Sequence, residues 1–224
     1  MKYLVFDAGP IISLAMSGML PVLEKLKEVF PGEFILTPRV KNEVVDRPMK
    51  IKKFKLEAMQ VQSLIDRGIF KMSGEIVPQQ ELDKETKKIL KITNGVLRTT
   101  QTGEKIKIIQ DGEAACLAFS NLCNCENVIV IDERTTRMLT EAPKNLEKMM
   151  ERKLHIPLDA QLSLLDELKD FKFIRSPELL FVAYKKGLIP IKKSKNLLDA
   201  LLYGVKFKGA AISSVEIEEM KKLA

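Results

Sequence analysis

Apolar side chains in this chain follow two periods. Short unbroken runs, Tyr3-Leu4-Val5-Phe6, Glu33 to Thr37 and Asn127 to Ile131, have the length of strands buried on both faces. Between them apolar residues recur three and four apart, as in Leu20, Val22, Leu23, Leu26, Val29 and Phe30, which is the helical period. Pro31-Gly32 stops that helix, and Thr37-Pro38 opens another over Pro38 to Val45, with threonine as the N-cap and proline in the first turn. Lys50 to Gly68 reads as a long amphipathic helix with a basic beginning, followed by the strand-like Ile69 to Met72. Strands alternating with helices, without short hairpins between the main strands, predict crossover connections and an α/β fold: a central, mainly parallel sheet flanked by helices.

The pattern changes at two places. From Pro78 to Ile109, a helical stretch (Glu81 to Ile92) precedes two strand-like runs, Val96 to Thr100 and Lys105 to Ile109, around Gln101-Thr102-Gly103-Glu104. This predicts an insertion carrying a basic hairpin. Asp111 to Phe119 then starts a helix. From Pro143 onward the pattern is nearly all helical: Asn145 to Arg152, Leu158 to Leu168, Pro177 to Lys186, Asn196 to Tyr203 and Val215 to Leu223, with one possible strand, Phe171 to Ile174. Ser176 reads as the N-cap of the Pro177 helix. The expected organisation is a core over 1–142, with an insertion at about 78–109, and a helical extension over 143–224 packed on the same domain.

Acids fall where this pattern matters. Asp7 and Asp132 end predicted strands; Glu43 and Glu113, with Asp111 beside Glu113, lie in helices that begin near strand ends. Each has an ordinary alternative: Asp7 and Asp111 as helix caps, Glu113 as a partner of a helix dipole, Glu43 on a solvated face. A parallel sheet could bring all of them to one rim, beyond the carboxyl ends of the strands, where open α/β sheets place their chemistry. Carboxylates so clustered need a cation, and oxygen ligands without a nearby histidine point to Mg²⁺ or Mn²⁺. Such an ion can activate water against a phosphodiester.

Composition adjusts the picture in three ways. The 224 residues, 46% hydrophobic and 30% charged, suit a globular protein and exclude wholesale disorder. A formal charge of +7 favours a polyanionic partner. Cys116, Cys123 and Cys125 form no disulfide framework, and with His155 as the only histidine they make no zinc site. The apolar runs are too short to span a membrane, and Met1 leads straight into a strand, so a cytoplasmic location and no membrane partner are expected.

Four blocks together resemble the PIN domain, a metal-dependent nuclease family with a three-layer fold. They are the strand ending in Asp7 with Gly9-Pro10-Ile11-Ile12-Ser13-Leu14, the segment Pro38 to Val44 around Glu43, Gly112-Glu113-Ala114, and Val130-Ile131-Asp132-Glu133-Arg134 followed by Arg137. The tail from Leu180 to Leu223 is similar to the helical ending of a prokaryotic PIN subgroup. The resemblance implies metal ligation by Asp7, Glu43, Glu113 and Asp132, with Asp111 the alternative third ligand because Glu113 stands where many members have aspartate. It implies an endoribonuclease acting through metal-activated water without a covalent intermediate, with RNA as the substrate ahead of DNA. A nuclease also needs cations beside an acidic rim, and Arg134 and Arg137, one turn apart after Asp132, are placed to touch a scissile phosphate or else to pair along the helix with Glu133 and Glu141. A homodimer is a further implied partner. The alternatives are a non-catalytic RNA- or protein-binding scaffold, and the toxin of a pair with a small antitoxin-like protein.

Overall fold

In the computed structural model, which describes residues 2–168 and 170–224, five strands form one sheet in the order β3-β2-β1-β5-β7. They are β1 (Lys2–Phe6), β2 (Gly32–Leu36), β3 (Phe70–Met72), β5 (Glu126–Val130) and β7 (Phe173–Ile174), and every pairing is parallel. The first strand of the chain is therefore the middle of the sheet, consistent with its apolar run. Phe6, Phe34 and Phe70 sit on three adjacent strands with ring centroids 5.1, 5.2 and 6.2 Å apart. Aromatic pairs at such spacing add about 0.5–1.5 kcal/mol each beyond their burial. Gly32 permits the close start of β2, because a Cβ there would lie 2.2 Å from the Lys2 carbonyl oxygen.

Helices cover the sheet. Those of the first half are α1 (Ala8–Met16), α2 (Leu20–Val29), α3 (Pro38–Lys41), α4 (Lys55–Asp66), α5 (Gln79–Thr93) and α6 (Asp111–Leu122). The second half adds α7 (Arg134–Glu141), α8 (Pro143–Leu154), α9 (Ser176–Lys185), α10 (Leu197–Lys206) and α11 (Ser214–Lys222). The last third of the chain is integral to the architecture: β7 extends the sheet beside β5, and α9 and α10 both pack on α1. Among the described residues, no helix is long and apolar enough to cross a membrane.

Several elements depart from the periodic reading. The Pro38 helix is α-helical only to Lys41 and continues as a π-turn over Asn42–Asp46. The helix expected from Lys50 starts at Lys55, after a 3₁₀ turn at Pro48–Lys50, so its basic beginning lies in irregular chain. The expected hairpin forms only one isolated bridge, Arg98 to Lys105. Instead β4 (Leu97–Thr99) pairs antiparallel with β6 (Leu158–Ala160), taking the first residues of the predicted Leu158 helix, and Leu162–Glu167 becomes 3₁₀. The amides of Ile108 and Ile109 donate to Asn94 Oδ1 (2.6 and 3.0 Å), so that run satisfies its backbone from a side chain rather than a strand. Cys123 and Cys125, 5.5 Å apart at Cα, are joined by a disulfide, a local link between near neighbours that cysteine spacing does not announce. Cys116 is free and buried.

Candidate metal centre

Asp7 follows β1 directly. Its amide donates to the Val130 carbonyl (3.0 Å), continuing the sheet one residue, while its side chain caps α1 by accepting from the Gly9 amide (3.3 Å). The cap and the site are thus the same residue. Asp7 is 5% exposed, and burial, then the charge of Glu113, push its carboxyl up to about 7; the Ala8 and Gly9 amides oppose this, and Glu43 adds to it.

Glu113 arrives from the first turn of α6. It is 8% exposed and accepts hydrogen bonds from the Gln110 amide (2.7 Å) and the Thr136 hydroxyl of α7 (2.9 Å). Burial raises its pKa, and the charges of Glu133 and Glu43 raise it further. Glu43 is half-buried in the π-turn, with its carboxylate laid against the Gly112 amide; a Cβ at Gly112 would stand 2.8 Å from Glu43 Oε1. Burial and Asp111 raise its pKa against Arg47, that amide and Lys107. Three carboxyl groups from separate elements therefore feel one another at the carboxyl edge of the sheet.

Asp132 stands beyond the end of β5, 2% exposed, close enough that a Cβ on Gly9 would touch both its Cβ and Asp7 Oδ2 at 3.6 Å. Its Oδ1 accepts from the Ser176 amide and its Oδ2 from the Ser176 hydroxyl, both at 2.8 Å, and the Ser13 hydroxyl adds a further hydrogen bond. Burial nevertheless raises its pKa. The α9 helix begins at Ser176 with Arg175 in the cap position, so Ser176 serves Asp132 instead of capping its own helix as its sequence context suggests. Sequence reasoning passes over Thr136 and reads Ser176 as a helix cap rather than as the partner of Asp132. Neither lies near its acid in the chain; Ser176 is 44 residues from Asp132 and Thr136 is 23 from Glu113.

Asp111 faces outward and pairs with Arg39 (3.2 Å), which also reaches Asp83 (3.4 Å). Glu113, not Asp111, is the α6 acid that Asp7 feels. Arg134 and Arg137 line a separate cavity of about 900 Å³ with Lys148 and Arg152 of α8. Glu113 borders another, of about 520 Å³, whose lining includes Lys107, Glu133 and Lys153.

Among the described residues, no group of three or more acidic, histidine or cysteine side chains is gathered at metal-holding geometry. The chemistry of the donors does suit a hard divalent cation: Asp7, Glu43 and Glu113 offer only oxygens, and all three have raised pKa values that a cation would bring down. No protein-family model, curated protein or solved structure matches the chain.

Proposed function

We propose that this protein is a Mg²⁺- or Mn²⁺-dependent phosphodiesterase of PIN type, an endoribonuclease with RNA as its partner. The observation that carries the reading is the approach of Asp7, Glu43 and Glu113 to the carboxyl edge of a parallel sheet, each with its pKa raised chiefly by burial. Those three would hold the ion. When bound, it would supply charge neutralisation and Lewis acidity for hydrolysis of a phosphodiester. Asp132, bound to Ser176, would fix the start of α9 against the sheet and complete the acidic rim beside Asp7. Thr136 would orient Glu113. Lys107 and Lys153, bordering the same cavity as Glu113, would offset the repulsion between an acidic rim and a polyanion.

Labelled RNA and DNA incubated with Mn²⁺, Mg²⁺ or chelator would test this. Internal cuts in RNA that require the metal are expected, with Asp7→Asn lowering the rate at least about 100-fold while the fold is retained. Cleavage that survives chelation, or full activity in the variant, overturns the reading.

One observation favours a non-catalytic scaffold instead. Both Asp132 oxygens are already occupied by Ser176, and the acids are not gathered at ligand distance among the described residues. On that reading the protein shields RNA without cutting it, and calorimetric titration with Mn²⁺ shows no binding.

A further inference from the structure

The cavity of about 900 Å³ lies between α7, α8 and the start of α11. Its cations differ in how fully they are used. Arg175 is committed: it pairs with Glu178 and with Glu216 (2.8 Å) and donates to the Ala211 carbonyl (2.9 Å). Arg137 is not. Its side chain is 14% exposed, its one ion pair among the described residues is a 3.5 Å contact with Glu141, and its Nε is buried with no hydrogen-bond partner among them. Burial, then the charge of Arg175, hold its pKa below the usual guanidinium value. Arg134, Lys148 and Arg152 also line the cavity and make no ion pair among the described residues.

An unpaired buried N–H costs about 1–3 kcal/mol, so the Arg137 guanidinium is incompletely satisfied even though Glu141 and Glu216 also line the cavity. The spacing of the cations shows what kind of acceptor would suit. Arg134 and Arg137 are three apart on α7, and Lys148 and Arg152 are four apart on α8, so each pair shares a helix face and the two faces line one concavity. Cations converging from two sides suit a group with several terminal oxygens and more than one negative charge. A phosphomonoester has three such oxygens and a charge near −2, whereas an internal phosphodiester has two free oxygens and one charge.

We propose that this cavity binds a phosphomonoester, with Arg137 as the buried anchor and Arg134, Lys148 and Arg152 closing around the remaining oxygens. The group can come from an RNA strand end or from a free mononucleotide; only the strand end rests on the nuclease reading above.

The test is binding in chelator, where no cleavage step is needed. One short oligoribonucleotide is prepared with a 5′-phosphate, with a 3′-phosphate and with hydroxyls at both ends, and AMP is titrated separately. A phosphorylated end should bind about tenfold tighter than the hydroxyl form. Arg137→Gln and Arg152→Gln should each remove that preference, and because Arg152 is exposed, its variant answers the question even if loss of Arg137 disturbs folding. AMP binding that Arg152→Gln abolishes, without any preference among strand ends, assigns the site to mononucleotides. Indifference to end phosphates together with no AMP binding overturns the proposal. Phosphate-dependent binding without any metal-dependent cut leaves this site standing and sinks the nuclease reading.

Discussion

At the scale of residues, the acids are the part of the site that the sequence displays best. Asp7 and Asp132 end apolar runs, Glu113 lies in the first turn of a helix and Glu43 in a helix that starts near a strand end, so a parallel sheet can bring them toward one edge. What holds them is hidden, because Ser176 meets Asp132 only through tertiary packing. Burial of these acids has a pH signature. The Asp7 carboxyl is raised from 3.8 to about 7, so between those values the folded chain keeps a proton that the unfolded chain has lost. Stability then falls as pH rises through that window and is greatest below it. Glu43, Glu113 and Asp132 are shifted in the same direction. The metal-free protein should melt higher at pH 5 than at pH 8; Asp7 alone is worth on the order of 3 kcal/mol, or about 5–10 °C for a chain of this size. Asp7→Asn should flatten the profile, and Mn²⁺ should raise the melting temperature more at pH 8 than at pH 5. Calorimetric scans giving the same melting temperature at both pH values would contradict the raised pKa.

At the scale of elements, periodicity locates the strands of the central sheet and most helices, and fails where non-local pairing competes with it. Leu158 to Leu168 has helical spacing, yet Leu158–Ala160 is captured by Leu97–Thr99 across about 60 residues of chain, a partner no local pattern announces. The π-turn at Asn42–Asp46 is equally silent in the sequence, and it matters because it carries Glu43 toward the first turn of α6. Gly112 is the contact between those elements. A Cβ there meets the far end of the Glu43 side chain at 2.8 Å, so the carboxylate can swing away while the backbone stays. Gly112→Ala removes a poor helix former, worth up to about 1 kcal/mol, against the lost fit to Glu43. The variant should melt within a few degrees of the parent and cleave RNA about tenfold more slowly, since the displaced group is a proposed ligand and not a core side chain. Unchanged cleavage, with displacement of Glu43 seen crystallographically, would remove Glu43 from the machinery.

At the scale of the whole molecule, the formal charge of +7 favours a polyanion without placing it, and the proposed function needs cations near the acidic edge. Exposed cations border both cavities beside α8, Lys107 and Lys153 next to Glu113, and Arg134, Lys148 and Arg152 on the other side. A strand crossing the acidic edge would therefore meet positive charge on leaving it. If Lys107 and Lys153 each contact a backbone phosphate, replacing both with glutamine removes two released counterions, and the slope of log K against log salt for single-stranded RNA should become shallower by about 1.4. The loss should be independent of base sequence, because phosphate contacts position a strand without reading it. Binding titrations from low to high salt, in chelator, measure that slope. Both lysines are exposed and make no ion pair among the described residues, so the double variant should keep the melting temperature of the parent. A slope identical to the parent's would mean that the strand does not pass over the cavity beside Glu113, and that Lys107 and Lys153 take no part in guiding it.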